Sequence, residues 1–139
     1  MNSKEIADKV AAKMILNDEF SRWLGIEVVE QNPGFSRLKM KIRKEMLNGF
    51  NICHGGITFS LADSALAFAS NGYGRIAVAL ETSIAFPAPV YEGDELTAVA
   101  EEQSKGNNTA VYNVTVTNQS GAKVGIFRGT VYRTKKEHL

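Results

Sequence analysis

The scarce residues narrow the field before any motif is read. A single cysteine, Cys53, excludes an intramolecular disulfide framework and suits a reducing compartment. Two histidines, His54 and His138, leave little material for a histidine-rich metal site. With 16 Lys and Arg against 15 Asp and Glu, the formal charge is only +1, so no excess of either sign points to nucleic acid or an anionic membrane as partner. Long apolar runs are missing too. The longest weakly charged stretch, Met46 to Gly74, carries Asp63 and many Gly, Ser, Asn and Thr residues, whereas a spanning helix needs about 20 predominantly apolar ones. The start of the chain, with Lys4, Glu5, Asp8, Lys9 and Lys13, has no uninterrupted apolar segment of the secretory kind. No repeat or low-complexity linker divides the 139 residues, which read as one soluble, cytoplasmic domain.

Periodicity supplies the elements. Residues 1–24 form a helical segment: Ser3 is positioned to cap a first helix whose Ile6, Val10 and Met14 share a face, and Asn17 a second with Phe20 and Leu24, stopped by Gly25. The period then becomes two. Ile26 to Glu30 reads as a strand, Asn32-Pro33-Gly34 as a turn, and Phe35 to Arg43 as a half-solvated strand. In that strand Ser36, Leu38, Met40 and Ile42 alternate with Arg37, Lys39, Lys41 and Arg43. A slip of one residue would bury four cations, and the cationic face is most simply a solvated one. Thr58 to Ser70 is a helix apolar nearly all round, hence enclosed. Four strands follow, Ile76–Phe86, Glu95–Ser104, Thr109–Thr117 and Lys123–Thr134, with connections short enough for hairpins. Residues 135–139 read as a frayed polar tail. The economical arrangement is an α+β domain in which an antiparallel sheet packs on one central helix.

Two features of this pattern carry chemistry. Asp63 is the only formal charge between Met46 and Gly74 and sits on an otherwise apolar helix, with Gly56, Phe59, Ala67 and Ser70 on its face and no cation. A charge so placed is paired by another element, neutralised, or functional. Just upstream, Asn48 to Gly56 leads into the helix through His54-Gly55-Gly56. Glycines at a helix start either permit a tight turn or let a ligand reach the unpaired N–H groups there, and a developing oxyanion is a suitable guest. Gly55 and Asp63 are eight residues apart, about 12 Å along a helix, so one helix cannot bring both to the same carbonyl. Two copies related by a two-fold axis can. Alternatives are weaker. Cys53 next to His54 is poorly placed as a nucleophile pair, and Ser60 and Ser64 lie away from His54, the base a serine triad would need. Cys53, His54 and Asp63 lack a metal-ligand spacing, and His54 is better employed bonding the backbone of the turn.

The pattern Asn48, His54-Gly55-Gly56, Asp63, together with the ending Phe127-Arg128-Gly129-Thr130-Val131-Tyr132-Arg133, resembles the hotdog-fold acyl-CoA thioesterases, in particular their phenylacetic-acid-degradation (PaaI-type) branch. The resemblance covers about Phe20 to Arg133. It implies a sheet wrapped around the central helix, dimers joined sheet edge to sheet edge, usually dimers of dimers, and hydrolysis of an acyl-CoA without metal or cofactor. By position it assigns the oxyanion N–H to Gly55, the base or nucleophile to Asp63 of the facing protomer, and positioning of carbonyl or water to Asn48. It sets Lys105-Gly106-Asn107-Asn108 near coenzyme A and Phe86 along the pantetheine or acyl path. Some relatives carry a Ser or Thr where this chain has Ala79, with Thr82 and Ser83 nearby. Phe59, Phe68 and Tyr73 are either an aromatic acyl pocket or plain core, and the branch favours ring-hydroxylated phenylacetyl thioesters. A non-catalytic acyl-CoA binder is the alternative, ahead of a hotdog dehydratase, whose catalytic histidine His54 is ill placed to be.

Overall fold

A computed structural model describes residues 1–139. Helix α1 spans Ser3–Asn17 and α2 spans Glu19–Leu24. Both caps fall one position away from expectation. Asn2, not Ser3, accepts the N–H of Glu5 at 2.9 Å, and Asp18, not Asn17, accepts that of Ser21 at 3.0 Å. Each start offers two adjacent short acceptors, and the packing of the first turn selects between them. Gly25 closes α2 in the left-handed region, φ 79°. The buried side of α1 is Ala7, Val10 and Ala11, small residues that let the helix lie close to the sheet, while Ile6 and Met14 are half-buried at its margins.

Six antiparallel strands, β1 (Glu27–Asn32), β2 (Phe35–Lys41), β3 (Arg75–Ala85), β4 (Glu95–Lys105), β5 (Thr109–Thr117) and β6 (Lys123–Glu137), form one sheet in the order β1-β2-β4-β5-β6-β3. The alternation in β2 holds: Ser36, Leu38, Met40 and Ile42 are buried, and Arg37 and Lys39 on the other face pair with Glu30 and Glu95. The connection from β3 to β4 is a crossover, contrary to the hairpin expected. β3 pairs with β6, and β4 lies between β2 and β5. Pro87 and Pro89 lack the N–H groups a continuing ladder needs, so the segment leaves the sheet edge. The C-terminal tail is likewise ordered rather than frayed. β6 runs on to Glu137 against Arg75, and the His138 N–H donates to Gly74 O at 2.8 Å. The first residues of β3 need backbone partners, and this tail supplies them. No helix is long and apolar enough to cross a membrane.

Helix α3 runs from Gly55 to Asn71, starting three residues before Thr58 because His54 provides a cap, its Nδ1 accepting the Gly56 N–H at 3.2 Å. The sheet curls around it, with contacts from β2, β3, β4, β5 and β6. Small residues make the embrace possible. Ala98, Ala100 and Ala110 are buried beneath the helix, and a Cβ at Gly129 would stand 2.6 Å from Leu66 Cδ2. Ser36 Oγ donates to the Ala65 carbonyl at 2.7 Å, tying β2 to the middle of α3.

Candidate active site

The chain enters α3 through a turn built from its own polar groups. Asn48 Oδ1 accepts the N–H of Phe50 at 2.8 Å, Asn48 N–H donates to Ile52 O at 2.8 Å, and Asn51 adopts φ 60°, a conformation asparagine tolerates. The Cys53 N–H then donates to Val90 O and the His54 N–H to Met46 O, which fixes the direction of the helix. His54 is exposed and acts as the cap, in keeping with its expected role in the turn. With the Gly56 N–H satisfied by that imidazole, the Gly55 N–H is left with no acceptor in the chain. It borders a cavity of about 380 Å³ shared with Asn48, Thr58, Phe86 and Val124. A Cβ at Gly55 would lie 3.1 Å from Phe86 Cζ, so only glycine leaves this wall open. The Asn48 side-chain amide nitrogen donates to no group of the chain and remains available at the same cavity. Three sequence-selected residues, Asn48, Gly55 and Phe86, thus meet at one place.

Asp63 lies elsewhere. It opens into a separate cavity of about 190 Å³ walled by Leu66, Ala67, Ser70, Val131 and the β3 residues Ala77, Val78 and Ala79. No donor or cation of the chain engages its carboxylate, which is half-buried; burial first, and repulsion by Asp18 second, push its pKa above the usual aspartate value. Asp63 is therefore not a structural carboxylate bonded to another element of its own chain. The nearby hydroxyl is Ser70, two helical turns on; Thr82 and Ser83 do not border the cavity, whereas Ala79 does. One wall is β3, the last strand of the sheet, whose outer edge has no partner and whose Val78 and Leu80 are exposed.

The other candidates separate cleanly. Lys105, the last residue of β4, and Gly106, Asn107 and Asn108 of the β4–β5 loop lie at the far end of α3, away from Gly55 of the same chain. There Lys105 Nζ sits 4.2 Å above the Tyr73 ring, and Arg75 and Arg133 donate to the carbonyls of Asn107 and Gly106 at 2.9 and 2.8 Å. The aromatic trio is not a pocket. Phe68 is fully buried, Phe59 packs on Phe127, and Tyr73 donates to Glu102, its pKa pushed up to about 12 by burial first and by that carboxylate. Burial raises the Cys53 thiol above its ordinary pKa, the wrong direction for a nucleophile. Ser60 bonds the Gly56 carbonyl and Ser64 bonds Ser21, so neither faces a base. No group of three or more His, Cys, Asp or Glu side chains converges where a metal could be held. Sequence reasoning missed two sets of residues. The pair Ser21–Ser64 joins segments 43 residues apart, and no spacing in the sequence points to it. Arg75 carried no local signal, and Arg133 entered only as the last residue of the ending motif, with no role of its own.

Comparison with known proteins gives this geometry a context. Acyl-coenzyme A thioesterase PaaI of Escherichia coli is 42% identical over 123 residues, 88% of either chain, and the structure of the Escherichia coli PaaI protein superposes with a TM-score of 0.96 over 98% of this chain and 99% of that one. A variant of phenylacetic acid degradation protein PaaI from Thermus thermophilus matches at 37% identity and TM-score 0.81, covering 84% of this chain and 100% of that one. A Streptococcus mutans protein whose structure is bound to acetyl CoA matches at 29% identity and TM-score 0.78, covering 81% and 90%. The Thioesterase superfamily matches residues 50–124, a span holding the turn from Phe50 to its His54 cap, all of α3 and four of the six strands wholly or in part, and the chain belongs to that family.

Proposed function

We propose that this chain hydrolyses acyl-coenzyme A thioesters at a site completed by two copies. The observation that carries the reading is the Asp63 carboxylate, unpartnered in a largely apolar cavity beside the free edge of β3. A second copy pairing with that edge would stand at the mouth of the cavity and could present its own Gly55. The roughly 12 Å that separates Gly55 from Asp63 within one helix is then no obstacle. β3 suits such pairing, since an 11-residue edge strand with one charge between Ile76 and Ala85 is a ready template. Pairs of such dimers give the tetramer that the family resemblance implies.

In the site so formed, the thioester oxygen takes the Gly55 N–H, with the Asn48 amide beside it, and the helix start stabilises the negative charge that develops. Asp63 of the other copy accepts a proton from water as the oxygen attacks the carbonyl carbon. The C–S bond then breaks, coenzyme A leaves as thiolate, and the proton returns to sulfur. Desolvation makes Asp63 a stronger base than an exposed aspartate, which favours this role. Phe86 borders the acyl or pantetheine path, and the Lys105–Asn108 loop, far from Gly55 of its own chain, serves the nucleotide end. The acyl group is an aryl-acyl one such as hydroxyphenylacetyl, in line with the proteins it resembles.

The test is direct absorbance of thioester loss across phenylacetyl, hydroxyphenylacetyl, benzoyl and straight-chain acyl-CoA substrates, with sedimentation of the same samples. Turnover by a two-fold oligomer, ranked highest for hydroxyphenylacetyl-CoA, is the expected result. Binding without turnover would make the protein an acyl-CoA sensor, and a fully active monomer would remove the shared site.

A further inference from the structure

Three hydrogen-bonded groups connect the N-terminal helices to the middle of α3. Asp18 Oδ2 accepts from Ser21 Oγ at 2.6 Å, and Ser21 Oγ lies 2.9 Å from Ser64 Oγ. Because the Ser21 proton is committed to the carboxylate, Ser64 is the donor in the second bond, and the chain has one direction: Ser64 to Ser21 to Asp18. Ser21 and Ser64 are buried, 1% and 9% exposed, so the strut is set in the interface between α2 and α3 and not in solvent. Ser64 is the residue immediately after Asp63. The Asp18 carboxylate is therefore held two hydrogen bonds away from the turn of α3 that carries the reacting carboxylate.

We propose that Asp18 is a positioning residue for the reaction: through Ser21 and Ser64 it anchors α3 at the level of Asp63 and holds a second negative charge behind the turn that carries that carboxylate. The inference rests on the reading of Asp63 as the reacting base. No cation counters that second charge at Asp63. From β3 and β6 the walls facing Asp63 are Ala77, Val78, Ala79 and Val131, and from α3 itself they are Leu66, Ala67 and Ser70. The charged or titratable groups on the far side, Lys13 and His138, border a different hollow with Asp18, and neither engages Asp63. A like charge disfavours ionisation of its neighbour, and Asp18 acts on Asp63 in that direction. Burial is the larger influence on Asp63; the N-terminal helices, which lie outside the residues matched by the family, add to it in the same direction.

Asp18→Asn is the decisive variant, because it removes the charge while its one amide oxygen keeps the cap on the Ser21 N–H; the amide nitrogen then donates to Ser21 Oγ, and the strut persists with its direction reversed, Ser21 donating to Ser64. The acid limb of kcat/KM should move to lower pH by roughly half a unit, about threefold in the ionisation constant. The plateau rate and the melting temperature should stay near those of the wild type. Raising the salt concentration should move the wild-type limb in the same direction and leave the variant's where it is, since screening acts on the charge pair alone. Ser64→Ala, which keeps the charge but cuts the strut, should lower kcat with little change in KM. If Asp18→Asn folds, and its limb superimposes on the wild type while Asp63→Asn is inactive, the inference is overturned and the Asp63 reading survives. If Asp63→Asn still turns over, the reading itself has failed.

Discussion

At the N-terminal end of α3 the Gly55 N–H has no partner, and the turn before it carries Phe50, 85% exposed. At the C-terminal end Asn71 is 3% exposed, and both polar atoms of its side chain are fully employed. Its amide nitrogen donates to the carbonyls of Ala67 and Ala77, and its oxygen accepts from the Ala77 N–H at 2.9 Å and pairs with His138 Nε2 at 2.7 Å. The same helix therefore has one end left open and one end locked. Hydrogen-bonding capacity left unmet away from water costs stability, and the Gly55 N–H avoids burial by bordering a cavity. The locked end also holds β3, whose Ala77–Ala79 segment walls the Asp63 cavity, so firmness at one end sets the shape of the site along the other.

The sharpest way to test this division is Asp63→Asn. Turnover should fall by about 10²-fold or more, the range for loss of a general base. Stability should move the other way. An acid whose folded pKa is raised binds its proton more tightly when folded, so the native state loses stability as pH rises from the ordinary aspartate range through the raised value. The amide variant escapes that loss. Its melting temperature should exceed the wild type's at pH 7, and the gap should close as pH falls toward 4. An inactive variant that is also less stable at pH 7 would recast Asp63 as a structural brace.

Gly55→Ala should act next most strongly. Alanine improves the helix by about 0.5–1 kcal/mol, yet its methyl enters the cavity 3.1 Å from Phe86 Cζ. We expect at least a tenfold loss of kcat with unchanged or higher stability. Adding Phe86→Leu relieves the crowding on the ring without clearing the methyl from the approach to the N–H. Activity should stay low in the double variant. Recovery would mean that Phe86, and not access to Gly55, was the point of failure.

Much of this was legible in the sequence because it is written locally. The alternation of β2, the His54-Gly55-Gly56 entry and the isolation of Asp63 each depend on residues a few positions apart. What escaped depends on contacts distant along the chain. Pairing of β3 with β6 joins Ala77 to Arg133, and a short connection from β3 to β4 says nothing about it. The order in the tail comes from Gly74 and Asn71, more than sixty residues upstream, so a polar segment that reads as frayed is a docked strand end. Asp63 could be singled out, but its want of a partner is a property of the folded neighbourhood and no spacing rule reports it.

The locked end makes the opposite prediction to Gly55. Asn71→Ala strips the buried Ala77 N–H of its acceptor and should cost about 1–3 kcal/mol, a drop in melting temperature of several degrees. Turnover per folded molecule should be nearly unchanged. A large fall in kcat at full folding would show that the two ends are not independent, and that the cavity wall at Ala77 shifts when its tie is cut.

The smallest effect belongs to His138, which bonds Asn71 from the chain terminus. Burial first, and the Lys13 charge second, lower its pKa below the ordinary value of 6.5, although the neighbouring Glu137 pulls the other way. The unfolded chain therefore takes up the proton before the folded one as pH falls. The stability due to neutral His138 is complete above about pH 6.5 and drains away as pH drops through the window beneath it. His138→Gln can still donate to Asn71 Oδ1 but does not titrate. Between pH 7 and 5 the wild-type melting temperature should fall more than the variant's, by a margin on the order of 2 °C. Parallel curves would mean that the terminal tie contributes nothing that protonation can remove, and the lock on this end of α3 would then reside in Asn71 alone.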